Sequence, residues 1–129
     1  MRSRVIVGAF LLVGLSSVGT VANTAGNRHW AAVNVLEPLL VSNRVVSGPI
    51  LIVHDDFKMA RGEPCTTFYR FVPGKGPQEA LVSFHCRPDR GAVAEQTTLT
   101  VMPSSPQGCK RLIDYQIAGD SEVHGVPLK

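Results

Sequence analysis

The sequence predicts an all-β protein, a small antiparallel sandwich or open barrel of about six or seven short strands behind a cleaved signal peptide. Three observations carry this expectation. From residue 33 onward, short apolar runs rich in Val, Ile and Thr are divided by Pro, Gly, Asn and Asp. No stretch keeps the three-and-four apolar spacing of an amphipathic helix over three turns. The opening residues have the charge and hydropathy profile of an export leader.

Residues 1–22 form that leader. Arg2 and Arg4 make a positive start, residues 5–13 are an uncharged apolar run, and small residues gather at Thr20, Val21 and Ala22. Cleavage after Ala22 suits a peptidase that needs small side chains beside its cut, with Ala25 as the second choice. The apolar run is short for a stable span, so no membrane anchor is expected after cleavage. The expected address is the periplasm or the extracellular space. The chain carries 13 Lys and Arg against 10 Asp and Glu, and without Arg2 and Arg4 the balance is 11 against 10. With no basic stripe and no aromatic residues interleaved among cations, nucleic-acid binding is not expected. The 107 residues that remain of 129 suit one domain. Residues 23–32 read as a loose lead-in and 33–129 as the single β-rich unit.

Within that unit, 33–36 is a first strand stopped at Glu37-Pro38. Runs 39–41 and 44–46 flank a Ser42-Asn43 turn. The continuous apolar run 50–53 is a buried strand ending at His54-Asp55-Asp56, and 57–64 is a loop. Runs 66–72 and 79–86 make a hairpin around the turn-rich segment 73–78. Folding it between Lys75 and Gly76 sets Cys65 opposite Cys86, Thr67 opposite Phe84, Tyr69 opposite Val82 and Phe71 opposite Ala80. These eight would share one apolar face. Run 97–102 is a further strand. Run 112–118 alternates, with Ile113, Tyr115 and Ile117 to one side. The tail from Gly119 reads as turns.

The hairpin register makes a disulfide between Cys65 and Cys86 the first expectation. Opposed residues of an antiparallel pair bring their Cβ atoms close to disulfide separation. Closing a loop of about 20 residues is worth roughly 3 kcal/mol in the chain-entropy model. Pairing of Cys86 with Cys109, or three reduced thiols, are the alternatives, and an odd count leaves Cys109 as a possible free thiol.

Imidazoles beside carboxylates suggest a metal site. His54 precedes Asp55 and Asp56, while His124 follows Asp120 and Glu122. In an extended tail Glu122 and His124 point to one side. His54, His124, Glu122, Asp120 and Asp55 are therefore candidate ligands for zinc or copper, with His85 as an outlying one. No CxxC or HExxH spacing is present. No GxSxG elbow and no phosphate-binding glycine loop is present either, so no catalytic residue can be named.

The segments GPILIVHD (48–55), GEPCTTFYR (62–70), VSFHCRP (82–88) and AGDSEVHGVP (118–127) resemble those of small secreted bacterial β-rich proteins with no assigned function. The resemblance implies an exported, disulfide-bearing domain and brings no activity with it. The sequence thus points first to an exported binding or structural module without a cofactor, stapled by Cys65 and Cys86. An unknown protein or glycan would be its partner. The other reading is a zinc or copper protein built on His54 and His124.

Overall fold

A computed structural model describes residues 3–6, 23–25, 28–103 and 108–128. The ten described strands all join one hydrogen-bonded sheet. They are β1 (Ser3–Ile6), β2 (Asn23–Ala25), β3 (Arg28–Val41), β4 (Arg44–Asp55), β5 (Thr66–Val72), β6 (Gly76–Phe84), β7 (Arg87–Arg90), β8 (Thr98–Met102), β9 (Lys110–Gln116) and β10 (Glu122–Gly125). The sheet curls into half a barrel along the path β1-β8-β9-β3-β4-β5-β6. β2 adds to β3, and β10 joins β9 to β7. Pairing is antiparallel except between β3 and β9, where Leu39 and Leu40 meet Lys110 and Arg111 in parallel. Most of the leader, from residue 7 to Ala22, lies outside the described residues. No described helix is long and apolar enough to cross a membrane.

The strands outrun their sequence-predicted bounds. β3 and β4 form one long hairpin about Ser42-Asn43, and Ser42 takes the left-handed φ of 55° that the turn requires. Glu37-Pro38 does not end β3. The ladder skips from Val35–Gly48 to Leu39–Val46, so three residues of β3 face one of β4. Pro38, which has no N–H to donate, sits inside this bulge, and residues 36–38 are exposed. Arg28 to Ala32, expected as lead-in, belong to β3, and Ala31 and Ala32 are fully buried. Part of the expected loop after His54 is the short helix α1 (Asp56–Ala60), capped by the Asp55 carboxylate, which accepts from the N–H groups of Phe57 and Lys58. The tail is not all turn, because β10 forms within it.

The β5–β6 hairpin exists, but its register is corrected. The loop centres on Gly74, not between Lys75 and Gly76, and Val72 pairs with Gly76. Two irregularities then each place one extra residue on β6, so that Tyr69 meets Ala80, Phe68 meets Val82 and Thr66 meets Phe84. A one-residue change of register reverses the faces. Thr66 and Phe68 therefore turn to the main core, while Phe71 and Tyr69 join Trp30, Leu51 and Val53 in a smaller cluster on the other face.

The main core lines the concave side. Val33, Ile50, Ile52, Phe68, Phe84, Leu99, Val101, Leu112 and Tyr115 are buried together. Phe68 makes an edge-on contact with Tyr115 at 6.0 Å. At one end this apolar core gives way to a buried polar cluster.

Candidate metal centre

The cluster is assembled at strand ends. His54 is near the end of β4, paired with His29 of β3 on one side and Thr66 of β5 on the other. His124 lies in β10, opposite Tyr115 of β9. Cys65 immediately precedes β5 and is tied to β4 by its carbonyl, which accepts from the Asp55 N–H at 2.8 Å. Cys86 follows β6 by two residues and donates its N–H to Cys65 Sγ. The curl of the sheet then brings together groups far apart in sequence. The His54 and His124 rings are 4.2 Å apart, and both side chains are fully buried.

Ring orientation gives the cluster its chemistry. His54 Nε2 lies 2.8 Å from Asp56 Oδ1, and His124 Nε2 lies 3.3 Å from Asp120 Oδ2. An ionised carboxylate only accepts, so each Nε2 carries a hydrogen, and Nδ1 is the nitrogen that holds the lone pair of a neutral ring. Both Nδ1 atoms face the Cys86 sulfur, at 3.6 Å from His54 and 3.7 Å from His124. Cys65 Sγ stands 2.7 Å from Cys86 Sγ. His29, half-buried, spans the two carboxylates, with Nε2 3.6 Å from Asp56 and Nδ1 3.7 Å from Asp120.

Burial shifts three groups of the cluster towards their uncharged forms. Burial, reinforced by the neighbouring His54, lowers the His124 pKa to about 4. Its imidazole is neutral near pH 7 and free to donate a lone pair. Burial, with Cys65 beside it, pushes the Cys86 thiol up to about 12. Burial likewise raises the Tyr115 pKa, so the phenol that shares a hydrogen bond with Thr66 and stacks on His124 stays neutral. No buried side-chain nitrogen or oxygen among the described residues lacks a partner.

Two overlapping sets of groups could hold an ion. The ligand atoms of His54, Cys65 and Cys86 lie within 4.8 Å of one another, as do those of His54, Glu122 and His124. Tetrahedral zinc with bonds of about 2.3 Å to sulfur and 2.0–2.1 Å to nitrogen sets S–N edges near 3.6 Å and S–S edges near 3.8 Å. The two Cys86–imidazole separations match the S–N edge. The Cys65–Cys86 separation is shorter than the S–S edge. The Asp56 and Asp120 contacts are the outer-shell kind that fixes the ring orientation of metal-bound histidines.

His54, His124, Glu122 and Asp120, all expected from sequence, therefore converge. Asp55 and His85 do not join them. Asp55 caps α1 and contacts Arg28 at 3.8 Å, while the next residue, Asp56, turns back to His54. His85 is exposed, because Phe84 and Cys86 on either side of it are buried. The Cys65 and Cys86 sulfurs face each other as expected, but at 2.7 Å they are farther apart than the 2.05 Å or so of a disulfide bond. Cys109 is half-buried just before β9 and belongs to neither ligand set. Sequence reasoning missed His29, Asp56 and the two thiols as members of the cluster. Family models, curated proteins and solved structures yield no match to this chain.

Proposed function

We propose that this protein binds one zinc or copper(I) ion through His54, His124, Cys65 and Cys86, and that holding the ion is its task. The observation that carries this reading is the convergence of both imidazole Nδ1 atoms on the Cys86 sulfur, while carboxylates occupy both Nε2 atoms. Two thiolates with two imidazoles suit zinc, and the sulfur pair suits copper(I) equally. His54, Cys65 and Cys86 form one ligand set, and His124 joins it through its 3.7 Å approach to Cys86 Sγ. A shell closed by these four has no open position for substrate, which favours a storage, delivery or structural site over a metallohydrolase. Glu122 lies beside both histidines and adds negative charge near the bound cation. Arg2, Arg4 and the apolar run after them support an exported location for the mature domain.

Native mass spectrometry of the reduced protein, with one equivalent of zinc or copper(I), tests the proposal. The expected result is one ion per chain, with binding lost in His54→Ala and in Cys86→Ser while circular dichroism shows the strands retained. A reduced, folded chain that takes up neither ion would remove the reading.

A further inference from the structure

We propose that the metal site is gated by oxidation: a Cys65–Cys86 disulfide and a bound ion exclude each other, and a small-molecule disulfide ejects the metal. The inference rests on the metal reading above. Its basis is that the same two sulfurs can serve either state. They face each other just outside the open end of the β5–β6 hairpin, with the Cys86 N–H donating to Cys65 Sγ. A disulfide and a shared metal ion both need the two sulfurs side by side, and the fold places them so. A disulfide sulfur has no thiolate charge to offer, so oxidation removes two of the four ligands together. What remains is His54, His124 and Glu122, a set without the two thiolate charges, so zinc is held far more weakly once the disulfide forms.

The reaction balances through thiol–disulfide exchange. Cys86 is the slightly less buried residue of the two, 8% exposed against 3% for Cys65, and in the zinc-loaded chain it is a thiolate. Its thiolate attacks one sulfur of the oxidant RSSR, forming a mixed disulfide and releasing RS−. The Cys65 thiolate attacks the Cys86 sulfur, forms the intramolecular bond and releases the second RS−. Two electrons pass from the cysteines to the oxidant, whose S–S bond is broken, and the divalent ion leaves with its charge no longer matched. A dithiol reductant reverses the exchange and restores both ligands.

The test uses the full chain, reduced and loaded with one equivalent of zinc, and oxidised glutathione as the oxidant. A chromogenic chelator reports free zinc, and peptide mapping locates disulfides. The expected result is stoichiometric zinc release in step with a Cys65–Cys86 cross-link, followed by recovery of zinc binding after dithiothreitol. A Cys65→Ser variant should form only the mixed disulfide at Cys86 and no cross-link. The proposal is overturned if the cross-link forms and zinc stays, or if zinc leaves while both cysteines remain thiols. It is overturned as well if zinc stays and no cross-link appears at an oxidant level that oxidises the metal-free chain. A reduced chain that never takes up zinc or copper(I) would instead defeat the metal reading itself, and it would do so before any oxidant is added.

Discussion

Around Phe68 the concave side of the sheet is closed by Val33, Ile50, Ile52, Leu99 and Leu112, all of them apolar. At the end of the same strands, around Cys86, two imidazoles and two thiols occupy a space that is just as buried. The first region gains stability from every apolar surface it hides. The second hides polar groups, which costs free energy unless each finds a partner. Asp56 and Asp120 supply those partners to the imidazoles from the cluster's more exposed side. A protein keeps such a region for specificity or function, since an apolar plug of equal volume would be the more stable choice.

The largest expected effect lies in the apolar region. Phe68→Ala should cost about 3–5 kcal/mol, read from the urea midpoint, because the cavity cannot collapse between Phe84 and Tyr115. A loss below about 1 kcal/mol would mean that this end is looser than its burial implies.

Acidification should act on the polar region through His124. His124 titrates near 4 when folded, below its ordinary 6.5. Between these values the unfolded chain binds more protons than the native one, so metal-free stability rises with pH across that window and is lost as pH falls through it. The full difference is about 3 kcal/mol. Urea unfolding of the metal-free protein at pH 7 and pH 4 measures it, and His124→Gln should lose most of the difference. An unchanged slope in the variant would assign the acid sensitivity to other groups.

Next come the carboxylates. Asp56→Asn and Asp120→Asn should each weaken metal affinity about 10–100-fold by releasing one imidazole orientation. Asp55→Ala, one residue away, should leave affinity in place and cost about 1 kcal/mol of stability through the lost cap. Competition titration against a chelator of known affinity distinguishes them, and equal losses for Asp55 and Asp56 would contradict the geometry. The smallest effect is expected at Arg70, whose guanidinium meets the exposed Glu79 at 2.9 Å. Arg70→Ala should change stability by less than about 1 kcal/mol in thermal melts.

Much of the apolar region was legible in the sequence. Residues 50–53 and 66–72 are strands because β-branched and aromatic residues crowd there between turn residues. The Ser42-Asn43 turn follows from turn chemistry, and alternation sets Glu122 and His124 to one side. His29 shows where that reasoning stops. Counting back from the Ser42-Asn43 turn without a bulge places His29 opposite Asp56. The bulge at residues 36–38 moves it opposite His54. Nothing local announces that shift, since Glu37-Pro38 reads as readily as the end of a strand.

By itself, then, the sequence determined the β class and the Ser42-Asn43 turn, because these depend on neighbours within a few positions, and it offered histidines and carboxylates, not the thiols, as candidate ligands. The tertiary structure decided which of those residues meet. Bulges set the register at β3–β4 and β5–β6, and the register sets which face each side chain takes. The curl of the sheet carries β10 across to the end of β4. Asp56 and not Asp55 orients His54, and Cys86 and not His85 turns inward, for the same reason. A displacement of one residue along a strand reverses a side chain, and only the assembled ladder fixes that displacement.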